Sequence, residues 1–532
     1  MDRLNGISSV DGVAEVLGSV RKKGVRLWTE NGRVHYKAPR GALNDEEISR
    51  LRNSRAQLVA LLEGHNGSDT DTGRITPRSH RECAPLAFSQ LAHWHFNRLH
   101  ERPAIRQIAS ATRLLGPLNL DALRRTIAEI VQRHDALRTR IVVTAGIPAQ
   151  VIEEDVQHEL VIDDLSGLET HSCAEEIRRA IDIMILEPIN VAEGPLFGAR
   201  LLRAGHSEHV LILVMEHIVS DAFSMNILLR ELIDGYTQAS QGREFSLPAI
   251  PVQFADYAVW QRELHGSRHC KRATYWDERL AGCERLKFPR DRSVSTRALK
   301  GWGTTPLRIG RELKNEMRSW CRLKRTTLVM SVFTAYVALV LRWCHGSEGI
   351  FLFQSDGRNN PLIEHTIGFF ATVLYLRIEL HAGDTFVGLM ERIREEYCNA
   401  YSHADFSDML ARVPRPEFTR NTAFNWVPLG AKTDASEPRD LQDVIAWVPV
   451  PFEHPMLKNA PAPESADCDN EPSLLLYDCD EEIAGHLSFP RSRFSTAEIE
   501  RFGCNFVEFI RALLRDPEAD VSRVALLGGE SK

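Results

Sequence analysis

The chain has 532 residues, 43% of them hydrophobic and 26% charged, with a formal net charge of −7. Such a length exceeds one ordinary core, and the composition is that of a globular protein rather than a disordered one. The acidic balance argues against a general nucleic-acid binder, because a phosphate backbone selects basic surfaces. We read no basic-then-apolar leader and no apolar run long enough to cross a bilayer, so neither a signal peptide nor a membrane partner is expected. Ten cysteines without a Cys-x-x-Cys pair fit a reducing, cytoplasmic setting better than a disulfide framework.

In chain order, residues 1–64 read as a separate small unit. Val13, Val16, Leu17 and Val20 recur at helical spacing, and Gly24 stops that helix. Two alternating runs, Val25–Glu30 and Arg33–Lys37, flank Asn31-Gly32, a pair that supplies the positive φ angles of a tight hairpin turn. A second helix follows, capped by Asn44 or Asp45 and lined by Ile48, Leu51, Leu58, Leu61 and Leu62. Basic residues outnumber acidic ones in this unit, and Lys22, Lys23, Arg26, Arg33 and Lys37 lie on or beside the hairpin with Trp28. A short hairpin with a basic rim can accept an acidic extended peptide by strand addition, or the charges can simply solubilise a small domain. Residues 65–82 are rich in Gly, Ser, Thr, Asp, Arg and Pro and read as a flexible linker.

A long α/β body follows. Val210–Met215 reads as a buried strand, and Phe223–Leu232 reads as a helix. Between them, Glu216-His217-Ile218-Val219-Ser220-Asp221-Ala222 forms a turn that can present an imidazole at a crevice. His93 and His95 flank Trp94. With no nearby cysteine or carboxylate they are poor zinc ligands and read as part of a packed helix. Cys468 and Cys479 lie among Asp467, Asp469, Asp478 and Asp480. No histidine completes a ligand set, so this is a solvated acidic loop and no metal site is assigned. Ser220 and Ser224 lack the Gly-x-Ser-x-Gly elbow of a serine nucleophile.

Six motifs in order along the body carry a resemblance to the condensation domains of nonribosomal peptide synthetases. They are Pro85–Gln90 with Trp94, Arg133–Thr139, Glu216–Ala222 in the place of HHxxxDG, Phe254–Arg262, Asp356-Gly357-Arg358 with Ile367–Thr372, and, more weakly, His403–Phe406. The first 64 residues resemble the β-hairpin, tubulysin-type docking domains. The resemblance implies two chloramphenicol-acetyltransferase-like lobes in a V, 83–255 and 256–528, enclosing a tunnel. It implies acyl transfer from a phosphopantetheine-linked carrier thioester to an amine or hydroxyl, with no permanently bound cofactor. The upstream carrier is expected to dock through a short, acidic C-terminal tail. Because no adenylation or carrier signature follows, the chain looks similar to stand-alone chain-releasing condensation enzymes, such as that of the enacyloxin polyketide synthase, with a small-molecule acceptor. A non-catalytic recruitment platform and an epimerisation domain are the other readings.

On this resemblance His217 is the catalytic imidazole, as base or by positioning. Asp221 is expected to hold the loop through a buried ion pair, with Arg133 or Arg138 as its partner. Glu216 stands where the family has its first His, and strand alternation turns it away from the tunnel. Ala222 replaces a Gly and adds a methyl at the donor side. Ser224, Asn425 and Trp426 are further tunnel candidates, with core packing an equal reading for the last two.

Overall fold

The computed structural model describes residues 74–78, 83–99, 107–154, 156, 158–283, 286–289, 302–358, 360–403, 422–428, 445–450, 471–479 and 481–526, together with the hairpin strands 26–30 and 33–37. The chain divides into two compact units, Met1–Arg74 and Ile75–Lys532. In the first, β1 (Arg26–Glu30) pairs antiparallel with β2 (Arg33–Lys37), with Arg26 opposite Lys37 and Trp28 opposite His35. The expected turn at Asn31-Gly32, Lys22, Lys23 and both flanking helices lie outside the described residues.

The second unit opens with β3 (Cys83–Pro85), α1 (Phe88–Leu99), β4 (Gln107–Leu115) and α2 (Leu120–Arg133). Asn119 caps α2 by accepting from the Ala122 N–H. Next come β5 (Thr139–Thr144), β6 (Ile147–Ile152), β7 (Val161–Asp164), α3 (Thr170–Leu186), β8 (Phe197–Arg203), β9 (Glu208–Glu216) and α4 (Ala222–Ser240). The strand β9 is an unbroken apolar run because both its faces are covered. The long α5 (Phe254–Leu280) leads to β10 (Trp302–Ile309), α6 (Arg311–Lys324), α7 (Leu328–Trp343), β11 (Glu348–Ser355), β12 (Thr372–Glu379) and α8 (Phe386–Ser402). The described elements end with β13 (Thr422–Pro428), β14 (Ala446–Pro449), β15 (Ser473–Asp478), β16 (Ile483–Pro490) and α9 (Thr496–Arg515).

Two large sheets organise this unit. One has the order β14-β4-β9-β8-β7 and the other β10-β16-β15-β13-β11-β12; a smaller sheet is β3-β6-β5. The first is backed by α2 and α4. The second packs around α7, which is buried from Met330 to Leu341, as an all-round apolar helix must be. No single helix among the described residues is long and apolar enough to cross a membrane.

Two boundaries differ from the sequence expectation. Strand β14, far down the chain, pairs with β4, so the first sheet includes residues from beyond 255, and a single cut there does not separate the two halves. Residues 75–78 do not behave as linker. Ile75 is 1% exposed in a cluster with Phe254 and Phe370, and Arg78 lies between the carboxylates of Asp135 (3.1 Å) and Asp256 (3.3 Å). A polar stretch hides such a strap, because its cation is buried by pairing rather than by hydrophobicity.

Candidate active site

The site is built where β9 ends. Glu216 folds its carboxylate back to accept from the Ile218 N–H at 2.5 Å, and the Ser220 hydroxyl donates to the Glu216 carbonyl at 2.9 Å. These bonds shape a short 3-10 turn, His217–Val219. Glu216, the last residue of β9, is 2% exposed, whereas His217, the first residue of the turn, is half-buried.

His217 Nδ1 lies 2.8 Å from the Ser220 carbonyl oxygen. A carbonyl can only accept, so Nδ1 carries a proton, and in the neutral imidazole Nε2 keeps the lone pair. The ring packs against Phe369 (centroids 4.5 Å apart) and His93 (5.3 Å). Sequence reasoning missed His93 because helical spacing explains it as well by packing; only the fold brings α1 to this turn.

Asp221 caps α4, accepting from the Ser224 N–H at 2.7 Å with one oxygen. Its other oxygen accepts from the backbone N–H groups of Phe370 (3.0 Å) and Ala371 (3.1 Å). The expected arginine pairing is corrected here: the partner is Arg358, at 3.4 Å, and neither Arg133 nor Arg138. Arg133 pairs with Glu231, ten residues and about 15 Å further along α4. Arg138 pairs with Asp135. They therefore serve the middle of that helix and the turn after α2, out of reach of the Asp221 cap. Beside Arg133, the fully buried His134 contacts the same Glu231 at 2.8 Å, and burial lowers the imidazole's pKa.

Arg358 is 5% exposed. It donates to the carbonyls of Ile363 and Thr366, both at 2.7 Å, and lies over the rings of Phe370 (4.3 Å) and Phe223 (4.7 Å). Burial pulls its pKa down while Asp221 opposes that shift.

Ser224 is fully buried. Its hydroxyl donates to the Gly368 carbonyl (2.8 Å) and accepts from Gly368 N–H and Arg358, both at 3.0 Å. It is thus engaged in holding the loop rather than open to a tunnel. Two glycines make this contact possible. A Cβ on Gly368 would lie 2.1 Å from the Phe254 ring, and one on Gly357, whose φ is +64°, would lie 1.9 Å from the Phe370 carbonyl.

Ala222 is the half-buried first residue of α4. Trp426 packs with the second core and runs nearly parallel to Phe424, while Asn425 alternates to the other face of β13. No contact joins either to His217 among the described residues. His403 stacks on Tyr275 at 3.8 Å, and residues 404–406 lie outside the described residues, as does Cys468. No cluster among the described residues is suited to hold a metal.

Comparison with known proteins places this geometry. Residues 80–532 match the condensation-domain family model, and residues 13–63 match the TubC N-terminal docking domain. The chain belongs to the condensation-domain family and carries a TubC-type docking domain ahead of it. A linear gramicidin synthase polypeptide of Brevibacillus parabrevis is 28% identical over 484 residues, 90% of this chain. The chain spans only 6% of that relative's length. The cyclization-docking bidomain of EpoB from Sorangium cellulosum superposes with a TM-score of 0.70 at 19% identity, covering 96% of this chain and 99% of the other. The X-domain from teicoplanin biosynthesis gives 0.66 at 21% identity, covering 86% and 100%. The fold is therefore the two-lobed, chloramphenicol-acetyltransferase-like one. Condensation domains are acyltransferase-type enzymes that form amide or ester bonds, although some related domains are non-catalytic.

Proposed function

We propose that this chain transfers an acyl group from a carrier-protein thioester to an amine or hydroxyl, yielding an amide or, with a hydroxyl acceptor, an ester. When the acceptor is a free small molecule, the same step releases the chain from the carrier. The carrying observation is the His217 tautomer: Nδ1 is committed to the Ser220 carbonyl, which leaves the Nε2 lone pair to take the nucleophile's proton. The nucleophile attacks the thioester carbonyl, the C–S bond breaks, and the carrier thiol leaves with a proton. No covalent enzyme intermediate is required, because the thioester is already activated. Asp221 and Arg358 hold the turn and do not enter the chemistry.

The donor carrier is recruited by the amino-terminal unit. Basic residues at Arg26, Arg33 and Lys37 on the hairpin suit a short acidic tail on the upstream carrier. The acyl group rides on that carrier's phosphopantetheine arm.

Intact-protein mass spectrometry of a loaded carrier, incubated with this protein and a panel of amines and alcohols, tests the reading. Acyl loss that requires both an acceptor and His217, falling about 10²- to 10⁴-fold in His217→Ala, is the expected result. Deleting the carrier's tail should raise KM with little change in kcat. A wild-type protein that binds the carrier but leaves it loaded with every acceptor would instead favour a recruitment platform. Glu216 and Ala222, the two departures from the family motif, would then mark lost catalysis.

A further inference from the structure

The helix α1 touches both sides of the site. The Ser89 hydroxyl donates to the Phe369 carbonyl at 2.6 Å, and the Gln90 amide donates to the Ile218 carbonyl at 2.9 Å. One bond holds the loop that supplies the Phe369 ring. The other holds the turn that carries His217. Residues three and four apart share a helix face, so His93 lies directly above these two anchors. Its ring is 5.3 Å from that of His217, tilted by 48°, and 5.8 Å from that of Phe369, edge-on at 90°. With His217 and Phe369 at 4.5 Å, the three rings close a triangle.

The Ser220 hydrogen bond fixes His217 at only one atom. Rotation of the imidazole about its side-chain bonds is limited by what packs on its faces and edges. The triangle places Phe369 and His93 on adjacent sides of the ring, where each blocks part of that rotation. We propose that His93 is a positioning residue for acyl transfer: its ring, held by α1, keeps the His217 imidazole in the orientation that points Nε2 at the nucleophile. The ring's shape is what matters in this role. This inference rests on the acyl-transfer reading given above, and nothing in the family motif at Glu216–Ala222 assigns it.

The test uses the full chain with a loaded carrier, comparing wild type with His93→Ala and His93→Phe. His93→Ala should lower kcat about three- to ten-fold, the size expected for losing one aromatic contact, with KM for the carrier within about two-fold. His93→Phe should restore most of the rate. Nitrogen NMR of histidine-labelled protein, with the His217 signals assigned by their loss in His217→Ala, supplies a second readout. Wild type and His93→Phe should show one tautomer with Nδ1 protonated, and His93→Ala should show averaged nitrogen shifts. Unchanged kcat and an unchanged His217 tautomer in His93→Ala would overturn the proposal. So would a His93→Phe variant as slow as His93→Ala, which would assign His93 a proton-transfer role instead. If the wild type transfers no acyl group, the functional reading fails, while the nitrogen shifts still judge whether His93 fixes the ring.

Discussion

The two sheets of the body bury different chemistry. Around the five-stranded sheet the interior includes Gln90, His134, Glu216, Asp221, Ser224 and Glu231, all polar and all hydrogen-bonded. Around the six-stranded sheet it is dominated by rings, with Phe333, Tyr336, Phe351, Phe424, Phe502 and Phe506 packed about α7. Burial acts on the two sets in opposite directions. In the first half it pulls histidines down: His134, His209, and His158 to about 4. In the second it pushes up the tyrosines and thiols, such as Tyr336, Cys344 and, to about 12, Tyr375. The contrast teaches that the histidines held down by burial lie in the half that carries the His217 turn. In the other, the aromatic frame, burial raises those tyrosines and thiols, while Lys314, Glu471 and Arg493 are buried as ion pairs.

The strongest way to break this division is at Arg358, whose buried ion pair with Asp221 joins the two halves. Arg358→Ala leaves the Asp221 carboxylate buried without its cation and should cost about 3–5 kcal/mol in urea unfolding, with acyl transfer lost as well. A smaller loss, with full activity in the folded fraction, would show that the amides of Phe370 and Ala371 satisfy Asp221 by themselves.

His158 sharpens the acid side of the comparison. It lies against Phe197, with ring centroids 4.6 Å apart. An unfolded imidazole titrates near 6.5 and the folded one near about 4, so the unfolded chain takes up the proton first. Its contribution is complete above pH 6.5 and is lost as pH falls from there towards 4, by about 2 kcal/mol between pH 7 and pH 5. His158→Phe keeps a ring against Phe197 and should flatten that part of the stability–pH curve. An unchanged slope would move the acid sensitivity to His134 or His209.

The smallest effect is expected in the aromatic half. The Tyr336 hydroxyl meets Thr422 Oγ1 at 2.5 Å, and that oxygen also bonds to the Pro472 carbonyl. Tyr336→Phe should therefore lower stability by about 1 kcal/mol, measured by urea unfolding, and leave the transfer rate unchanged. A change in kcat would show that the frame reaches into the site.

Much of the site was legible because it is local. A strand, a turn and a helix in immediate succession bring Glu216, His217 and Asp221 together without any distant contact, and the helix cap at Asp221 follows from its place before α4. The arginine was not legible. Arg358 is 137 residues from Asp221, and a sequence offers many cations of equal charge. Arg133 and Arg138 stood in a promising motif, yet Glu231 and Asp135 engage them. His93 was hidden for a related reason: a helix shows its own periodicity but not what its face will meet. The return of β14 to the first sheet carries no local mark either, since strand pairing is a property of two distant segments.

The buried strap at residues 75–78 bears on how this protein can be recombined. Exchanging the amino-terminal unit for another is a natural way to redirect such a chain to a new upstream partner, and composition would put the seam at the end of the polar stretch, near residue 82. A seam there would discard a buried isoleucine and withdraw the cation from between Asp135 and Asp256, the latter also part of the cap that starts α5. Drawn ahead of Ile75, the seam leaves that anchorage intact, and the exchanged module carries only its own recognition with it.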